Sequence, residues 1–205
     1  MSTEFLLTSF VVVIMPGTGV LYTVATGLFL GRRASMFAAM GCTLGIVPSL
    51  LASITGLALL IHASALAFQV LKFAGVAYLL YLAWGMLKGG GPLSLDEGRT
   101  EQRILAVVRR GFLINILNPK LTIFFLAFLP QFVPVDAADP TGTMFVLGVV
   151  FMLMTLAVFI AYGFLATTVR TYVIESEEVS SFIQRVFAGS FAALGIRLAF
   201  ASRES

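Results

Sequence analysis

The chain has 205 residues, of which 59% are hydrophobic and 11% charged, with a formal net charge of +3. A soluble domain carries about 25% charged residues, so this composition, with a mean hydropathy of +1.01, excludes one and describes a single integral membrane domain over residues 1–205. A lone cysteine, Cys42, excludes an intrachain disulfide, a thiol pair or a cysteine metal cluster, and there is no basic face with stacking aromatics to suggest nucleic acid.

Residues 5–30 form an uncharged run long enough to span a bilayer. No basic segment precedes it and it exceeds the apolar core of a signal peptide, so it reads as a retained span. Residues 34–87 carry two ionisable side chains, His62 and Lys72. That length predicts two helices, about 35–61 and 66–87, with a turn near the His-Ala-Ser-Ala segment. Residues 88–110 form a polar linker whose Gly-Gly-Gly-Pro start stops a helix. A fourth span over 111–134 and a fifth over 142–169 follow. The sixth, 182–201, is weaker because Arg185 and Arg197 interrupt it; a five-span chain with this segment on the surface is the alternative.

With six spans, nine basic residues gather on one side: Arg32, Arg33, Lys88, Arg99, Arg103, Arg109, Arg110, Arg170 and Arg185. Basic loops stay in the cytoplasm, so both termini are expected outside. Tyr81 and Trp84 suit an inner interfacial belt. His62 falls at the outer surface. Lys72 and Arg197 fall nearer the outer ends, where long cations reach toward water.

The two halves resemble each other. Pro16 in "FVVVIMPGTGVLY" aligns with Pro119 in "LINILNPKLTIFF", and the same offset places Gly45 on Gly148. Phe73-Ala74-Gly75 matches Phe187-Ala188-Gly189. Three spans per half is an odd number, so the halves are inverted. The predicted fold is all-α and membrane-embedded: six transmembrane helices as two inverted three-helix repeats, about 5–87 and 111–201, joined by the cytoplasmic linker 88–110. The first helix of each repeat is interrupted, at Pro16 and at Pro119.

Proline lacks an N–H and clashes with the carbonyl four residues back. Pro16 is therefore expected to free the carbonyl of Val12, and Pro119 that of Asn115. In hydrocarbon such a group must face protein, water or ligand. Beyond each break a half-helix begins, and its N-terminus favours an anion such as a carboxylate. Interrupted helices at matching positions of two halves point to a transporter's midplane site. Thr18, Tyr22 and Thr26 share one face; Asn115, Asn118 and Thr122 form a second polar stripe. Lys120 lies about 13 Å from the inner end of its span at a rise of 1.5 Å per residue, and an ionisable residue at that depth is a functional candidate. On an unbroken helix it would point about 140° away from Asn115, so it joins the stripe only if the break turns the chain. The expected substrate-binding set is Pro16, Gly17, Thr18, Tyr22, Asn115, Asn118, Pro119 and Lys120.

Plainer roles exist for each. The prolines serve as kinks in many membrane helices, Lys120 could snorkel or pair, and the asparagines could join helices. Their coincidence in one segment, mirrored in the other half, favours a site. Gly41, Gly45, Gly75, Gly148 and Gly189 are expected to pack helices closely, with Cys42 a small core residue. No Asp or Glu falls inside a span, so the usual proton carrier is missing, and metal ligands are missing with it.

The order of these motifs resembles the lysine exporter family of amino-acid efflux proteins. Pro16-Gly17, "GRRA" (31–34), Gly41-x-x-x-Gly45, "KFAGVAYLLYLAWGMLK" (72–88), "RRGFLINILNPKLTIFFLAFLPQFV" (109–133) and "GIRLAF" (195–200) carry the resemblance, which covers nearly the whole chain. Asn118-Pro119-Lys120 is its signature. The resemblance implies a bacterial inner-membrane exporter of amino acids or close derivatives, working by alternating access without a cofactor, metal or catalytic residue. Its partners would be a small-molecule solute and the lipid bilayer, and a homo-oligomer stays open. Thr18 stands where the family has a second proline, and Ile46 follows Gly45 where many relatives place an acid, which makes a less polar solute plausible. The alternatives are an exporter of another small metabolite and a non-transporting membrane scaffold.

Overall fold

The computed structural model describes residues 2–56, 65–87, 100–134 and 137–200; the side chains of Pro119 and Lys120 lie outside the described set. Among the described residues every regular element is a helix. In chain order they are α1 (Thr3–Ile14), α2 (Thr18–Leu30), α3 (Arg32–Leu44), α4 (Val47–Ile54), α5 (Ala65–Leu87), α6 (Thr100–Ile116), α7 (Pro119–Phe128), α8 (Pro140–Thr168), α9 (Arg170–Glu175) and α10 (Glu177–Ala199). A short 3-10 turn, Leu129–Phe132, extends α7. The segments Arg32–Ile54, Gln69–Leu87, Pro140–Thr168 and Glu177–Ala199 are long and apolar enough to cross a bilayer, and α1 and α2, bent by 56° at their break, are so when taken together as one span. This is a multi-pass membrane architecture.

The fourth predicted span is not among those crossings. Its residues are divided between the end of α6 and the ten-residue α7. Helix α6 starts at Thr100, so its first turns come from the segment read as linker. Ile104 and Val107, three residues apart, give that segment an apolar stripe, and Val107 is buried. Residues 88–99 of the linker, His62 and the His-Ala-Ser-Ala turn lie outside the described residues.

Local chemistry explains the ends. Ser2 caps α1 by accepting from Phe5 N–H at 3.2 Å, and the helix stops at Met15 because Pro16 cannot continue it. Gly31, at φ 85°, closes α2 and opens α3; only glycine takes that conformation cheaply. Asp139 caps α8 by accepting from Gly142 N–H at 2.9 Å. Ser176 caps α10, with Glu177 and Glu178 in the first turn and Arg197 in the last, the charge order that suits a helix dipole.

A further interruption lies in the second crossing. Pro48 near the start of α4 divides the second crossing at Gly45–Ile46. Ile46 N–H donates to Thr43 O at 3.0 Å, a tightened turn in place of the α-helical partner Cys42 O.

Helix α3 lies along α2, α6 and α8; α2 lies along α8; α5 lies along α10; α4 packs on α7 and α8. The apolar core falls into two clusters. One gathers α2, α3, α6, the second half of α8, α10 and the C-terminal part of α5, around Tyr22, Cys42, Leu82, Val107, Ile114 and Phe191. The other gathers α1, α4, α7 and the first half of α8, around Phe5, Ile46, Leu50, Phe125, Leu129 and Phe151. Every interrupted crossing changes cluster at its interruption, and α8 changes between Phe151 and Phe159.

Candidate functional site at the broken helices

The layer between the two clusters holds the predicted breaks. Four helices meet there. The amide of Asn115 on α6 donates to Cys42 O on α3 at 2.6 Å. Cys42 Sγ reaches Gly19 O on α2 at 3.9 Å. A Cβ on Gly19 would meet the Phe159 ring of α8 at 2.8 Å and Asn115 Oδ1 at 3.6 Å. Asn115 therefore takes the carbonyl that the turn at Ile46 leaves without its helical donor. Buried polar groups need such partners, and losing one costs about 1–3 kcal/mol.

The two breaks satisfy their backbones in different ways. At the second, Asn118 N–H donates to Asn115 O at 3.1 Å, and Leu121 N–H donates to Asn118 O at 3.1 Å. The carbonyl that Pro119 was expected to free is thus occupied by a tightened turn. At the first, the hydroxyl of Tyr162 on α8 donates to Ile14 O at 2.9 Å. Pro16 is exposed, Gly17 and Thr18 are half-buried, and nothing stands within 4 Å of where a Cβ on Gly17 would be. Gly17 begins α2 in an extended conformation with no side-chain cap.

The remaining predicted residues are spread over this layer and below it. Tyr22 is 1% exposed and donates to Val107 O on α6 at 3.0 Å. Thr26 is buried one turn further on and donates to Tyr22 O at 2.7 Å. Thr122 donates to Ser49 Oγ on α4 at 3.0 Å. Asn118 is half-buried. Lys120 is the second residue of α7.

Among the predicted packing glycines, Gly41 and Gly45 press on the α6 backbone at Val108 and Phe112, Gly75 on the Leu117 carbonyl, and Gly148 on the Leu50 side chain. Gly189 is different: nothing lies within 4 Å of its would-be Cβ, because it sits on an exposed face of α10. Sequence reasoning missed Tyr162, Ser49 and the buried state of Lys72, which is 6% exposed rather than snorkelling. A lone tyrosine within the apolar run 144–166 was the available signal for the first.

Ser9, Ser35, Thr43 and Ser53 carry buried hydroxyls that make no hydrogen bond among the described residues. No group of His, Cys, Asp and Glu that could hold a metal occurs among the described residues. A wide-mouthed depression between the 3-10 turn and the start of α8, lined by Phe132, Asp139 and Leu147, contains none of the predicted site residues.

Residues 10–202 match the family model of the LysE type translocators. The chain is 31% identical to an uncharacterised membrane protein of Vibrio cholerae over 96% of its own length and 95% of that protein. It is 27% identical, with the same coverage, to a homoserine/homoserine lactone efflux protein of Salmonella typhimurium. A leucine efflux protein of Klebsiella pneumoniae is 27% identical over 66% of this chain and 65% of its own. No solved structure matches the chain.

Proposed function

Because this chain belongs to the LysE type translocator family, we propose that it exports amino acids or their close derivatives across the bacterial inner membrane by alternating access. The observation that carries this reading is the position of the two breaks, at Pro16–Gly17 and Asn118–Pro119, in the layer where the two apolar clusters part. A solute entering there meets backbone ends and polar side chains from four helices instead of a continuous core. The efflux proteins of Salmonella and Klebsiella support an amino-acid-like solute.

The helix neighbours support two inverted halves. If the first, second and third crossings correspond to the fourth, fifth and sixth, the α2–α8 pair corresponds to α3–α6, while α3–α8 and α5–α10 each map onto themselves. A two-fold exchange of the halves generates those pairs, and with three spans per half its axis would lie in the membrane plane. Arg32 and Arg33, the first residues of α3, favour a cytoplasmic location for that end and outside termini.

In this reading Lys120 and the start of α7 hold the solute carboxylate, with Pro16, Gly17 and Thr18 facing it from the other half. The test is efflux from proteoliposomes loaded with a panel of labelled amino acids. Wild type should release a subset far faster than empty liposomes, and Lys120→Ala should lose at least about tenfold, the equivalent of one charge-assisted contact of roughly 1.4 kcal/mol. Release no faster than from empty liposomes across the panel would refute the export reading.

A further inference from the structure

Two arginines from different crossings converge on the turn between α2 and α3. Arg32 follows Gly31 at the start of α3, is exposed, and holds its guanidinium over the Phe164 ring of α8, 4.0 Å from the centroid. Arg170, half-buried, opens α9. Its Nε, Cδ and Cζ stand 3.5, 3.9 and 3.9 Å from where a Cβ on Gly31 would be. One cation thus reaches the corner from the turn itself and the other from the end of α8.

This packing leaves their hydrogen-bonding capacity open. A ring attracts a guanidinium without supplying oxygens to its five N–H donors. Arg170 gives the more direct sign: its Nε is buried and has no hydrogen-bond partner among the described residues. Buried donors in native proteins are nearly always paired, with protein, water or a bound group. The contacts on Gly31 are ordinary van der Waals distances, so a small rotation off the glycine presents Nε and an Nη together, the two-pronged edge that fits a phosphate or carboxylate.

The neighbouring surface selects between those anions. Leu165, Val169 and Tyr172, around the junction of α8 and α9, are exposed, and Arg170 directly follows Val169 in the chain. In a bilayer such apolar side chains are covered by acyl chains. An oxyanion carrying acyl chains therefore meets both halves of the corner, and basic clusters at the ends of spans attract anionic lipids. We propose that Arg32 and Arg170 bind the phosphate headgroup of an anionic phospholipid, which ties the α2–α3 turn to the end of α8. The inference goes beyond the export reading and does not depend on it: the lipid is a resident partner and not the exported solute.

The experiment uses the purified full chain in neutral detergent micelles. It is titrated with dioleoyl phosphatidylglycerol, with dioleoyl phosphatidylcholine and with glycerol 3-phosphate, and the melting temperature is read against concentration. Phosphatidylglycerol should stabilise wild type with an apparent affinity at least about tenfold above that of phosphatidylcholine. Glycerol 3-phosphate, the headgroup phosphate without its chains, should do little at the same concentration. Arg32→Gln and Arg170→Gln should each weaken the phosphatidylglycerol response about fivefold, the loss of one interfacial cation. Arg197→Gln, in the last turn of α10, should not. Phosphatidylglycerol that acts no better than phosphatidylcholine on wild type overturns the proposal, and this comparison decides the matter even where a variant does not fold. Glycerol 3-phosphate that matches phosphatidylglycerol overturns it in favour of a free-phosphate site. A folded Arg170→Gln with the full response overturns it, as does an Arg197→Gln that loses as much as the other two. Efflux enters none of these readings, so a failure here leaves the export reading standing.

Discussion

The hydroxyl of Tyr162 donates to the carbonyl of Ile14 at 2.9 Å across 148 residues of chain. The bond ties the C-terminal part of α8 to the last turn of α1, at the point where Pro16 ends the helix. Tyr162→Phe removes the donor and little else. Membrane hydrogen bonds contribute about 0.6 kcal/mol on average and up to about 1.7, so the variant should unfold more easily by that order in an SDS titration. A larger effect on efflux rate than on stability would mean that the bond also governs how the first half-helix moves.

Asn115→Ala removes the amide that pairs with Cys42 O and leaves that carbonyl buried. A loss of about 1–3 kcal/mol is expected, seen as a lower melting temperature of the purified protein. Asn115→Asp keeps the shape and loses the donor, and should be no better than Ala.

Gly41→Ala sets a methyl group against the Val108 backbone, which has no flexible end to yield. Overpacking of this kind costs about 1–3 kcal/mol, so the variant should melt early. Gly189→Ala meets open space and gains helix propensity; its melting temperature should be unchanged or raised. Measured side by side, the pair separates glycines that pack from glycines that merely occur in a helix.

The proposed orientation is testable by labelling. Cys42 is fully buried and should not react with a membrane-impermeant maleimide. Ser2→Cys and Asp139→Cys should label in intact cells, whereas Arg33→Cys should label only after permeabilisation. The reverse pattern would invert the topology.

The helices were legible because their signals are long. Apolar runs fixed α5, α8 and α10 to within a few residues, and Pro16 and Pro119 marked where α1 and α6 stop. The break at Ile46 was harder to see, since Pro48 reads equally well as a kink and its effect appears two residues earlier. Thr122 with Ser49 and Asn115 with Cys42 are pairs across helices, and no local pattern encodes a cross-helix partner. Lys72 shows the limit most clearly. Its place near the outer end of a span suggested snorkelling, yet which way a helix turns its face depends on the neighbours, here Leu117 against Gly75.

Gly31 joins α2 to α3 with a single residue. Two helices so joined cannot slide past each other at that end. The opposite ends are looser in construction, because α1 and α4 continue them only across the interruptions at Pro16 and Ile46. A tilt of this hairpin would therefore swing about its Gly31 corner like a pair of shears, with small travel at Gly31 and its widest gape at the far ends of α2 and α3.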